Sequence, residues 1–230
     1  MPLEWKVNQF AIRSFRDQGD EDYISARMAC RAQLVSPFLW SSQQTIEKYL
    51  KCILLLNRIP AKSVMHDLCE AVELIKRSDK LVFELTPKSQ QFIDHVDRYG
   101  PFRYLEISNI AYGKQLISLD GAAWELRRYC TLSDAPRKVT IQRGVTPPIV
   151  RLPGGYLEKI IDNLEHPARE PLLWQNAFFG KRGRKRIRYH SWFKATNAPL
   201  YLHPEILEEV WKYVYLPKPI RDGYKDHKGP

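Results

Sequence analysis

Between Ser41 and Asn57 the apolar side chains Ile46, Tyr49, Leu50, Ile53, Leu54 and Leu56 recur at three- and four-residue spacing. Glu47, Lys48 and Lys51 fall on the other face. That period belongs to an α-helix with one buried stripe, so the stretch commits its surroundings to helix-on-helix packing. The same texture extends on both sides. A helix opens at Asp22 with acidic residues and carries Arg27 and Arg31 further along, the order that the helix dipole favours. Ser63 is placed to cap a third helix carrying His66, Asp67, Leu68, Cys69, Val72, Leu74 and Ile75. Pro87 suits the first turn of a fourth, which runs to about Arg98 and is broken by Gly100-Pro101. A fifth spans Lys114 to Cys130, with Leu116, Leu119, Ala123, Leu126 and Cys130 on one stripe. Strand-like alternation is almost absent. Residues 1–130 therefore read as a mainly α, up-and-down helical bundle.

After Cys130 the texture changes. Residues 131–155 contain Pro136, Pro147, Pro148, Pro153, Gly154 and Gly155, too many helix breakers for a helix to continue. They read as a linker or short strands, with one strand placed at Lys138 to Arg143. Residues 156–218 form a basic and aromatic C-terminal extension, with short helices expected at Tyr156 to Leu164 and Pro204 to Tyr215. Residues 219–230 read as a frayed tail.

The hydrophobic fraction of 44% and charged fraction of 27% in 230 residues are those of a folded chain with a substantial core. No apolar run approaches the ~20 residues of a membrane span, and no membrane partner is expected. The N-terminus lacks the apolar region of a secretory signal, so a cytoplasmic location is expected. Cys30, Cys52, Cys69 and Cys130 form no CxxC pair and lie among apolar neighbours in helical stretches. Buried free thiols are the expectation, with no metal site. Phosphate-binding glycine loops, HExxH and GxSxG are all missing, and no cofactor is expected.

Three short stretches of the bundle carry a family likeness. Gln43-Gln44-Thr45-Ile46-Glu47-Lys48-Tyr49-Leu50-Lys51-Cys52-Ile53-Leu54-Leu55 is followed after a loop by His66-Asp67-Leu68, and Arg98-Tyr99-Gly100-Pro101 comes later. This order resembles the HEPN domain family (higher eukaryotes and prokaryotes nucleotide binding). There the helix reads as a Gln-Gln, Glu-Lys, Leu-Lys pattern, and the loop ends in a hydroxyl residue before His-Asp-Leu. Here Met65 stands in place of that hydroxyl. Many small bacterial members have an Arg-Tyr-Pro turn where Arg98 lies. The resemblance covers about half of the chain and implies a four- or five-helix bundle that often dimerises. It implies RNA-cleaving toxins and defence nucleases on one side, and on the other members that bind nucleotides or serve as partner modules.

The cleaving members are marked by an Arg followed within a few residues by a His. In such a pair the His moves the 2′-hydroxyl proton and the Arg steadies the phosphate. Arg184 with His190 and Arg221 with His227 have that spacing, about as many as chance gives, and neither lies in the bundle. His95 precedes Arg98 by three residues, in reversed order but within reach of one helix face. His66-Asp67 reads either as a general-base or metal pair or as a helix start. The catalytic candidates are accordingly His66, His95, Arg98, Arg184 and His190.

The formal net charge is +10, and Lys181, Arg182, Arg184, Lys185, Arg186 and Arg188 supply six of those charges within eight positions. Trp174, Phe178 and Phe179 precede the strip, and Tyr189, Trp192 and Phe193 follow it. Cations match phosphates and flat rings match unpaired bases, so RNA or another polyanion is the expected partner. A solvated loop flanked by core aromatics is the alternative. Arg98 and Arg103, around the Gly100-Pro101 turn, form a second candidate site, with salt bridges to Asp94, Asp97 or Glu106 as the alternative role. The expected function is an RNA- or nucleotide-binding HEPN-like protein, within a bacterial defence or toxin–antitoxin-like system by resemblance. A metal-independent endoribonuclease using a His/Arg pair and a non-catalytic protein-interaction module for a partner enzyme are the alternatives, and a homodimer or a partner protein is the expected assembly.

Overall fold

A computed structural model describes residues 2–101, 109–132, 151–152, 154–179, 192–195, 206, 209–210 and 212–213. It is mainly helical. The first helical run is continuous: α1 (Leu3–Phe10) passes into a π-wound section, Ala11–Asp17, and then into α2 (Gln18–Arg31). Five-residue spacing falls on one side of a π turn, and Phe10 and Phe15 meet there edge to face, with centroids 5.8 Å apart. Next come α3 (Val35–Leu56), α4 (Leu68–Arg77), α5 (Pro87–Tyr99), strand β1 (Asn109–Tyr112), α6 (Gly113–Arg127), α7 (Tyr156–Asp162), α8 (Arg169–Leu173) and strand β2 (Trp192–Ala195).

The longest helix, α3, is also the central one. It packs against α2, α4, α5 and α6 and touches the β1–β2 ribbon. Its periodic stripe (Ile46, Tyr49, Leu50, Ile53, Leu54) is buried as the spacing predicts, and the helix begins earlier than that stripe, at Val35. Pro37 is tolerated because it lies in the first turn, whose amides lack helical partners anyway. Pro87 likewise occupies the first turn of α5, where Thr86 caps the helix by accepting from the Ser89 amide. The third helix differs from expectation. It starts at Leu68 rather than near Ser63, and Asp67 is the cap, accepting from the Glu70 amide at 2.7 Å. A carboxylate beside its own first turn is the better-placed acceptor, and His66 is left in the preceding loop.

The core does not stop at Cys130. Leu157, Ile160, Leu172 and Phe179 are buried in the same cluster as Tyr23, Phe38, Ile46, Leu119 and Leu126. The ribbon is antiparallel, pairing Asn109 with Ala195 and Tyr112 with Trp192. All four cysteines are free; Cys30, Cys52 and Cys130 are buried, whereas Cys69 is only half-buried, because it sits at the rim of α4 beside Asp94. Among the described residues no helix is long and apolar enough to cross a membrane. The strand placed at Lys138 to Arg143 lies outside the described residues, as does most of the helix placed at Pro204 to Tyr215.

Candidate functional site

Helix-end arginines commonly serve the helix dipole, which is what position alone suggests for Arg27 and Arg127. The structure buries both instead. Arg127 donates from Nε and one terminal nitrogen to both oxygens of Asp20, at 2.7 and 2.8 Å. It also spans both oxygens of Glu158, at 2.8 and 2.7 Å. Tyr49 adds a hydrogen bond to Asp20 at 2.7 Å. Burial alone would lower the pKa of Arg127, but the two carboxylates outweigh it and the guanidinium stays charged. Arg27 pairs with Asp120 and donates to the backbone oxygens of Pro171 and Trp174. Tyr23 donates to the same Asp120 at 2.6 Å, and burial, with the Asp120 charge, pushes its phenol well above the usual value. The Asn176 amide closes the network, donating to Tyr23 Oη and to Leu172 O while accepting from the amides of Phe178 and Phe179. These groups hold residues 154–179 onto the bundle, a structural task.

A site open to solvent lies elsewhere, between the π-wound section, α3 and the α3–α4 loop. It is a pocket of about 380 Å³, walled largely by apolar side chains such as Phe10, Phe15, Leu50, Leu54 and Ile59. Its polar lining is Glu47, Lys51, Lys62, His66 and Asp67. His66 Nδ1 lies 2.9 Å from Glu47 Oε1, which also accepts from Lys51 Nζ at 2.6 Å. A carboxylate only accepts, so the ring donates from Nδ1. Glu47, which the periodicity puts on the polar face of α3, is only 7% exposed. Its Oε2 is buried with no hydrogen-bond partner among the described residues. Met65, beside His66, has φ 47°. Among the described residues the other non-glycine residues at positive φ, Gln33, Arg58 and Gln175, follow the ends of α2, α3 and α8, where left-handed backbone is ordinary. Met65 follows no helix.

A second histidine candidate, His95, is half-buried between α5 and α6. It contacts the Gln115 amide at 2.9 Å and packs on Tyr99. Burial, with the Arg98 charge one turn on, lowers its pKa, so the ring is neutral at neutral pH. Arg98 is exposed at the end of α5. Of the carboxylates expected to pair with it, Asp97 accepts from the Leu68 amide and Asp94 from Gln90 and Cys69. His66 and His95 have separate partners, Glu47 and Gln115. Arg103, Lys181, Arg182, Arg184, Lys185, Arg186, Arg188 and His190 lie outside the described residues.

Ligand atoms of Asp67, Cys69 and Asp97 lie within 4.8 Å of one another. Asp67 and Asp97 already accept from amides that start α4, and burial with the Asp97 charge pushes the Cys69 thiol up to about 12. Helix capping accounts for the cluster. No family model matches the chain, and neither does a curated protein or a solved structure.

Proposed function

We propose that the chain is a cytoplasmic, HEPN-like RNA-binding protein. Its strip Lys181, Arg182, Arg184, Lys185, Arg186 and Arg188 holds phosphates, and Arg98 and Arg103 supply a second contact. The observation that carries this reading is the use made of the other arginines. Arg27 and Arg127 are buried on carboxylates, and Arg31 pairs with Glu170. Arg27 and Arg127, which could have added to a basic surface on the bundle, are spent on internal pairs, Arg31 is paired at the surface, and six of the ten surplus charges fall on the strip. Support also comes from its flanks. Phe179 is buried in the core and Trp192 belongs to the ribbon, so the chain on either side of the strip is held to the bundle rather than trailing from it. The place in a defence or toxin–antitoxin-like system follows from the HEPN resemblance alone.

The test is fluorescence anisotropy with labelled single-stranded RNA at low salt. Replacing Lys181, Arg182, Arg184, Lys185 and Arg186 by Gln lowers affinity at least about tenfold. No binding by the wild-type chain, or equal binding by the variant, ends the reading.

One observation favours a second, catalytic reading. His95 is neutral and close to the exposed Arg98, which suits a base beside a phosphate holder. Incubation with total RNA in EDTA decides it: cleavage that His95→Ala abolishes supports an endoribonuclease, and intact RNA rules it out.

A further inference from the structure

We propose that the pocket between the π-wound section and the α3–α4 loop binds a small aromatic amine, with the ammonium on Glu47. Pockets of roughly 300–1,000 Å³ hold small molecules in general, and such sites combine an apolar wall with a few convergent polar groups. This pocket, of about 380 Å³, has that composition. The body of the ligand follows from the wall. Phe10 and Phe15 present rings at right angles, an arrangement that accepts a third ring edge-on or face-on.

The polar end follows from Glu47. Both protein partners of its carboxylate, Lys51 and His66, use Oε1. Oε2 is buried and unpartnered among the described residues, in a side chain that lines the pocket. An unmet carboxylate oxygen in an apolar surround is unfavourable and is relieved by a donor, best by a charged one. Lys51 and Lys62 also line the pocket, with Lys51 already paired to Glu47, and the unmet Oε2 is the group that calls for a further donor, which an ammonium supplies and a carboxylate does not. The φ of 47° at Met65 is the third observation. A left-handed methionine that closes no helix, next to His66 in the pocket lining, is the kind of local strain that clusters at binding sites.

Titration calorimetry on the full chain tests this with tryptamine against indole-3-propionate, which shares the ring but carries the opposite charge. Tryptamine binds at least about tenfold tighter, the factor a charge-assisted hydrogen bond supplies. Glu47→Gln keeps the shape of the side chain and removes that preference. Ala61→Phe fills the pocket without touching the carboxylate and lowers tryptamine affinity at least about tenfold. Equal binding of the two probes, no tryptamine binding at millimolar concentration, or an unchanged preference in Glu47→Gln overturns the proposal. If Glu47→Gln fails to fold, Ala61→Phe decides alone, and undiminished tryptamine binding by that variant overturns it.

Discussion

Arg127 joins carboxylates that are far apart in the chain, Asp20 of α2 and Glu158 of α7, and all three are buried. Removing the cation leaves two buried carboxylates facing each other. Arg127→Leu therefore destabilises the fold by about 3–5 kcal/mol, read from the urea midpoint. The neighbouring Gly155 is needed for close approach. A Cβ there would lie 2.0 Å from Glu158 Oε2 and 2.9 Å from an Arg127 nitrogen. Flexible side-chain ends usually yield to such a contact, but this pair is locked by Asp20 and by the Leu152 amide. Gly155→Ala costs about 1–3 kcal/mol, and the cost vanishes when Glu158 is Ala, which a double-mutant cycle measures. Glu158 also sets a pH dependence. Burial pushes its carboxyl up, but the bonds and charge of Arg127, with the Leu152 amide, outweigh burial and hold it below the usual 4.5. A lowered folded-state value means stability that is present above pH 4.5 and is lost as pH falls through the folded value. The stability difference between wild type and Glu158→Gln accordingly shrinks with acidification over that window.

Among the elements, α5 and α6 are coupled through a cap. Thr86 Oγ1 accepts from the Ser89 amide and donates to Glu125 Oε1 at 2.7 Å, while Glu125 Oε2 accepts from the Thr86 amide at 2.7 Å. Thr86→Ala loses the cap and leaves Glu125 short of a donor, at a cost of about 1–2 kcal/mol in thermal or urea unfolding. Pro87 made the start of α5 legible in the sequence, since a first-turn proline acts within its own helix. The burial of the α3 stripe was legible for the same local reason. Two elements read differently because the deciding contact is remote or in competition. Asp67 outcompetes Ser63 as the cap of α4, and Asp97 of α5 takes up the Leu68 amide. The buried carboxylate of Glu47 was hidden because period alone sets it opposite the stripe. The π-wound section brings Phe10 and Phe15 to the pocket beside it, and nothing in residues 11–17 advertises that winding.

At the scale of the whole molecule, the break in texture after Cys130 does not mark the edge of the core. Asn176 meets Tyr23 across 153 positions of sequence, and Arg27 reaches the carbonyls of Pro171 and Trp174 across 144 and 147. No periodicity encodes contacts of that separation. They also change how the charge is read: counting residues locates the strip, but only the fold removes Arg27 and Arg127 from the surface. If the strip is the phosphate contact, the salt dependence of RNA binding belongs to it. The logarithm of affinity falls with the logarithm of salt concentration by about 0.7 for each phosphate neutralised on a single strand. The five-residue variant with Gln at Lys181, Arg182, Arg184, Lys185 and Arg186 then flattens the slope by up to about 3.5. Arg31→Gln is the contrasting variant, because Arg31 is exposed but already paired with Glu170, and it leaves the slope unchanged. Anisotropy titrations over a range of salt separate the two cases. A slope that survives loss of the strip, or that falls equally with Arg31, would mean that RNA is held by the bundle's surface and that the strip has another task.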